Sequence, residues 1–249
     1  MRLKYLIVIC AALSVCISAM AKDNAEDRHV RAILFSGDTI EGYLRNDLKT
    51  GLKNIFSKTG SIHQYINIGV EPKGGETKRY SASEVKEYRF LEPTEGYPEG
   101  SAVVSEKINS PLIFKPHSCV RGFAFELDRR ESGSILEWKV WEDTGGKNST
   151  RRLVPVVGVK FNGAKAAYCI IHNGSISTAL LMHYLKKQSP EFREVLDNYY
   201  NKGKDSKAHR KELKDNPSTI LLLYENFIKE NKPLDDPEAN DEPQQEGKK

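Results

Sequence analysis

The chain has 249 residues, 39% of them hydrophobic and 29% charged, with a formal charge of +4. That length supports one large domain or two small ones, and the apolar content is enough to fill a core. A balance so close to neutral excludes the strongly basic signature of a nucleic-acid-binding protein, so no nucleic acid is expected as a partner.

Residues 1–21 read as a secretory signal peptide. Arg2 and Lys4 give a positive start, Tyr5 to Ile17 an apolar run, and Ala19-Met20-Ala21 a small-x-small cleavage site before Lys22. The apolar run is short for a bilayer and polar Lys22-Asp23-Asn24 follows at once, so no stable membrane span is expected after signal removal. Leu13-Ser14-Val15-Cys16 approaches a bacterial lipobox, but that motif wants a small residue where Val15 stands. Cleavage after Ala21 removes two basic residues and lowers the formal charge to +2. The expected location is non-cytoplasmic: periplasmic, or extracellular and outer-membrane associated. Of four cysteines, Cys10 and Cys16 leave with the signal. Cys119 and Cys169 remain, both in apolar, strand-like segments. They can form one disulfide in an oxidising compartment, or stay as two buried thiols.

In chain order, residues 22–173 read as an antiparallel β region, 174–232 as a helical region and 233–249 as an acidic, disordered tail. Val30, Ala32 and Leu34 alternate into Gly37-Asp38, a two-residue turn with Gly first, and Ile40, Gly42 and Leu44 alternate away. A second β segment carries Ile62, Ile66, Ile68 and Val70. Ser81-Ala82-Ser83-Glu84 has capping-box spacing and predicts one helical turn before an extended Tyr88–Leu91. Further strands follow at Ala102–Ile108, Leu112–Phe114, Val120–Leu127 and Ile135–Trp141. In the last of these, Leu136, Trp138 and Val140 share one face, opposite Lys139 and Trp141. Asn162-Gly163 between Val156–Phe161 and Ala164–Ile171 predicts a type I′ hairpin, with Pro155 at a strand start or edge.

Three helices are then expected. The first is capped by Ser177 and carries Leu180, Leu181, Tyr184 and Leu185 on one face. Ser189-Pro190-Glu191 starts the second, which carries Phe192, Val195, Leu196 and Tyr199 and ends at Gly203. Asn216-Pro217 opens the third, with Ile220, Leu223, Tyr224, Phe227 and Ile228 at helical spacing and Pro233 as its stop. Between the last two lies Lys202–Lys214, a basic stretch interleaved with Asp205 and Glu212. It reads as a solvated linker or short helix face, or as a peripheral contact with anionic lipid or polysaccharide.

The hairpin Phe35-Ser36-Gly37-Asp38-Thr39-Ile40-Glu41-Gly42-Tyr43-Leu44, the Tyr80–Phe90 stretch and the Ser189-Pro190-Glu191-Phe192 helix resemble a group of exported proteins from Gram-negative gut bacteria. That group has no known function. The resemblance implies a compartment and a fold style and carries over no catalytic residue.

No motif specifies chemistry. The histidines lack metal-site spacing and there is no Cys-x-x-Cys, so neither a metal nor a cofactor is expected. There is no Gly-x-Ser-x-Gly elbow, and Gly145-Gly146-Lys147 lacks the spacing of a phosphate loop. Cys119 and Cys169 each have a histidine nearby in sequence but sit in apolar runs, which disfavours a reactive thiolate. No catalytic residue is assigned. Trp141, and secondarily Trp138, are the candidate binding residues, since an exposed Trp on a sheet suits sugar stacking or a protein partner. Against this stands coverage of both sheet faces, one of them by the helices, which makes both tryptophans core residues. The fold expected is α+β, an antiparallel β region forming a sheet, sandwich or partly open barrel with about three helices packed on it. The function expected is non-catalytic binding or assembly of another envelope protein or glycan. The alternative is an enzyme acting on polysaccharide or peptidoglycan through carboxylates.

Overall fold

The structure, a computed structural model, describes residues 27–45, 64–71, 75–93, 99–109, 119–143 and 151–236. The signal peptide expected at 1–21, Ile62, the strand at 112–114 and the tail beyond Asp236 lie outside these residues.

The described strands are β1 (Asp27–Leu34), β2 (Thr39–Arg45), β3 (Tyr65–Gly69), β4 (Thr77–Ser81), β5 (Val85–Phe90) and β6 (Ala102–Asn109). They continue as β7 (Val120–Arg130), β8 (Gly133–Asp143), β9 (Arg151–Phe161), β10 (Ala167–His172) and β11 (Ser175–Ile176). All join one sheet in the order β11-β10-β9-β8-β7-β6-β5-β1-β2-β3-β4. Consecutive neighbours pair antiparallel, but β10 also runs parallel beside β6, through Ala167–Ile108 and Tyr168–Asn109. That pairing closes β6 to β10 into a five-stranded barrel. An odd number of alternating strands can close only through one parallel pair.

Alternation fills the barrel. Val104, Ile108, Ala124, Leu136, Trp138, Val140, Val154, Val156, Ala167 and Cys169 form its interior cluster. The N-terminal strands curl separately. β4 and β5 stand at opposite ends of the run β5-β1-β2-β3-β4, yet only Ala82–Glu84 joins them, so these strands bend into a partly open barrel. It encloses Val30, Ala32, Ile66, Tyr80 and Val85, with Val103 and Phe123 contributed by the outer face of β6 and β7.

Four helices follow among the described residues: α1 (Ala179–Gln188), α2 (Pro190–Asp197), α3 (Ser206–Asp215) and α4 (Thr219–Ile228). Each is too short to be stable alone in water, so packing must hold it. Leu181, Leu185, Phe192, Leu196, Leu213, Ile220 and Tyr224 cover the outer face of the closed barrel at Ile135, Val159, Phe161, Tyr168 and Ile170. The protein is therefore α+β, as the division of the sequence into a β region at 22–173 and a helical region at 174–232 predicts, with four helices among the described residues in place of three. No helix among the described residues is long and apolar enough to cross a membrane.

Several local expectations change. The first turn is a three-residue loop: Leu34 N–H donates to Asp38 O at 2.8 Å, and Gly37 carries a positive φ of 91°. Ser81–Glu84 makes half a capping box, with Ser81 N–H on Glu84 Oε2 at 2.8 Å, but the chain leaves it as β5 instead of a helix. Asn162-Gly163 is not a type I′ hairpin. Only Gly163 has positive φ (78°), and Ala164 N–H closes the turn on Phe161 O at 3.1 Å. The Asn-Gly pair with both φ positive is Asn173-Gly174, at 48° and 69°, which joins β10 to β11. Pro155 lies inside β9, paired with Lys139. Its carbonyl accepts from Asn173 N–H beyond the last β9–β10 pair, so the missing donor costs no ladder bond. The N-cap of α1 is Thr178, which makes no side-chain cap hydrogen bond, in place of Ser177, whose hydroxyl is turned toward Cys169.

The expected tail boundary also moves. Leu234 and Asp236 are 6% and 3% exposed, so the chain stays packed through Asp236.

Candidate functional site

The basic stretch is largely helical, although its only buried side chain is Leu213. Aromatic contacts hold it in place. α2 continues into a five-residue π-helical turn, Asn198–Lys202, ending at Gly203. The Tyr199 ring of that turn stacks on His209 of α3 at 3.7 Å between centroids. His209 Nδ1 lies 3.0 Å from Tyr199 O, and the Tyr199 hydroxyl donates to Glu212 Oε2 at 3.4 Å. Glu212, His209 and Leu213 thus share the side of α3 that meets the π-helical turn and the core.

Helical geometry does the rest. Lys207, Arg210, Lys211 and Lys214 stand at i, i+3, i+4 and i+7, on the face away from His209 and Glu212. With Lys204 they line an open groove of about 960 Å³. Ser175 and Ile176 of β11 form its other wall, and Tyr200, Asn201 and Ser206 contribute to its lining. Five cationic side chains therefore face one carboxylate, Asp205. Lys202 belongs to the stretch but not to the groove. Its ammonium pairs with Asp197 at 2.5 Å, and that hydrogen bond holds the Asp197 carboxyl below the usual range.

Such a face opposes folding. α3 carries four cation–cation pairs at i,i+3 or i,i+4 spacing, the like-charge acidic pair Glu212–Asp215, and one opposite-charge pair, Lys211–Asp215. Each like pair costs about 0.2–0.5 kcal/mol. No groove cation has an ion-pair partner among the described residues. An anion in the groove removes this repulsion, and locally unfavourable patterns of this kind concentrate at functional sites.

The tryptophans fare differently. Trp138 is 2% exposed inside the closed barrel, so it is not a binding surface. Trp141 pairs with Leu153 across β8–β9, and its side chain lies outside the described residues.

Cys119 and Cys169 are not joined by a disulfide. Cys169 faces the barrel interior, whereas Cys119 packs against the helix-side cluster, so the two sit on different layers. Burial pushes the Cys169 thiol up to about 12, against a weaker opposing hydrogen bond from Ser177. In native protein of residues 22–249, a thiol reagent should label Cys119 and leave Cys169 unreacted until denaturant is added. Equal, rapid labelling of both would refute this placement, and no labelling after denaturation would reveal a disulfide.

A second cleft, of about 700 Å³, lies under α4 and is lined by Glu131, Ser132, Asn162, Tyr224 and Glu225. It brings two carboxylates together. Glu225 is already engaged: the Ser132 hydroxyl donates to its Oε1 at 2.8 Å, and Arg130 Nη1 lies 3.7 Å from Oε2.

Sequence reasoning found the cations but not the wall opposite them. The Asn173-Gly174 dipeptide was the available signal, because a type I′ turn there folds Ser175 and Ile176 back beside β10. The chain matches no known protein-family model, no curated protein and no solved structure.

Proposed function

We propose that this is an exported, non-catalytic envelope protein that binds, or helps assemble, an anionic envelope component through the α3 groove. The observation that carries the reading is the groove itself, with five cations facing a single carboxylate. Export rests on the n-region, apolar run and cleavage site of residues 1–21. The test immobilises residues 22–249 and passes envelope extract over them, with the triple variant Lys207→Gln/Lys211→Gln/Lys214→Gln alongside. The wild type should retain a component that moderate salt elutes, and the variant should not. Equal retention by both, or none by either, overturns the reading.

The second reading, a carboxylate hydrolase acting on polysaccharide or peptidoglycan, is favoured by the cleft holding Glu131 and Glu225. Two carboxylates at suitable separation are the minimum such chemistry requires. The tie between Glu225, Ser132 and Arg130 argues instead for a structural carboxylate anchoring α4 to the β8 turn. Peptidoglycan and acidic polysaccharide incubated with the protein should therefore stay intact. Turnover abolished by Glu131→Gln or Glu225→Gln would install the hydrolase in its place.

A further inference from the structure

We propose that the groove's ligand is a linear acidic polysaccharide lying along α3, a statement that rests on the anion-binding reading above and specifies its ligand. The arrangement of charge comes first. Lys207, Lys211 and Lys214 follow one another by single helical turns, so their stems leave the axis at intervals of about 5 Å over about 10 Å. That is a row, comparable in interval to one pyranose residue. A compact anion such as phosphate calls for donors converging on one point, whereas this groove is open and about 960 Å³ in volume.

The residue types agree. Four of the five cations are lysines, point charges on flexible stems, which suit repeated carboxylates better than one bidentate partner. Ser175, Asn201 and Ser206 supply neutral hydrogen-bonding groups in the same lining, which sugar hydroxyls can use and a polyphosphate cannot donate to.

Other polyanionic partners fit less well. A membrane-surface helix sets large apolar residues beside its basic ones. The large apolar side chains of α3 reduce to Leu213, which is buried. The exposed large apolar residues Tyr65, Val70, Leu127, Val195 and Leu222 all lie elsewhere. Single-stranded nucleic acid is held by stacking on exposed aromatic rings. The aromatic residue of this lining, Tyr200, is 3% exposed.

Calorimetry on residues 22–249 with oligogalacturonates of one to eight sugars tests the proposal. Affinity should rise with chain length until the row of cations is covered, then level off, and should fall as salt is added. A neutral glucan of equal length should not bind. Each of Lys207→Gln, Lys211→Gln and Lys214→Gln should weaken binding by about two- to five-fold, as expected for exposed charge contacts. Lys86→Gln with Lys232→Gln, exposed and outside the groove, should leave binding unchanged. Unaltered melting temperatures would separate loss of contact from loss of fold. Groove-dependent binding to phosphatidylglycerol vesicles or inorganic phosphate, without binding to the oligogalacturonates, overturns the polysaccharide assignment and leaves the anion-binding reading standing. Absence of binding to every one of these anions overturns both.

Discussion

Trp138→Ala should lower the unfolding free energy by about 3–5 kcal/mol, the range for truncating a large, fully enclosed aromatic side chain. Trp138 is 2% exposed, and the strands around it are closed on themselves by the β10–β6 pair. The surroundings therefore have little freedom to collapse into the space left. The facing residue, Gly158, reports the same fit from the other side. A Cβ there would stand 2.3 Å from Trp138 Cη2 and 2.8 Å from the Tyr168 carbonyl oxygen. Gly158→Ala alone should cost about 1–3 kcal/mol by overpacking. In the Trp138→Ala background that cost should shrink, because two of the three closest atoms belong to the indole, and the two changes should couple. Trp138→Phe should be milder than Trp138→Ala, since it keeps a ring and removes an indole N–H that has no hydrogen-bond partner among the described residues. Urea unfolding of residues 22–249 measures all four. A Trp138→Ala protein within about 0.5 kcal/mol of wild type would place this side chain outside the barrel.

That placement marks the limit of what local pattern can convey. The alternation of Leu136, Trp138 and Val140 is plain in the sequence, and it correctly puts them on one face of β8. Whether that face looks into a barrel or out toward helices is decided by Ala167 and Tyr168 pairing with Ile108 and Asn109. No periodicity in either segment announces a contact so distant along the chain. Capping and turn signals mark where the chain changes direction without fixing the element that follows. Ser81 and Glu84 make half of a capping box, yet the next residues are drawn into β5 by pairing with β1. The second helix was legible from Ser189, Pro190 and its apolar set, because that signal is local. α3 was not, since its one buried residue, Leu213, gives an apolar period nothing to register. The cations of the groove were visible as a run of charge. Their alignment becomes visible only once the Tyr199–His209 stack has fixed which way the helix faces.

Deleting residues 233–249 should cost about 3–4 kcal/mol relative to a chain ending at Asp236, because the segment just after α4 is a clasp. Leu234 enters the helix-side core, worth about 1.5–3 kcal/mol for a buried side chain of its size. Its N–H donates to the Tyr224 hydroxyl at 2.7 Å, and Asp236 N–H donates to Gly163 O at 3.0 Å, which adds about 1 kcal/mol each at most. Gly163 is what lets the clasp seat. A Cβ there would fall 1.9 Å from the Leu234 carbonyl oxygen, and the backbone φ of 78° already favours glycine. Gly163→Ala should therefore be severe in the chain ending at Asp236. In the chain ending at Lys232 it should cost only the left-handed backbone penalty of about 1–2 kcal/mol. The Asp236 carboxylate adds a dependence on pH. Burial lowers the pKa of Lys160, while Glu106 and Asp236 oppose that shift. Burial and the charge of Asp236 together raise that of Tyr184. With Asp236 gone, the folded state holds the Lys160 ammonium less well still. The added penalty is then complete at neutral pH and fades as the pH climbs into the ordinary lysine range, where the unfolded chain also loses the proton. Denaturant unfolding of the four proteins at pH 7 and pH 10 resolves both effects. Strict additivity of Gly163→Ala with the deletion would mean that Gly163 does not seat the clasp, whatever the size of either change alone.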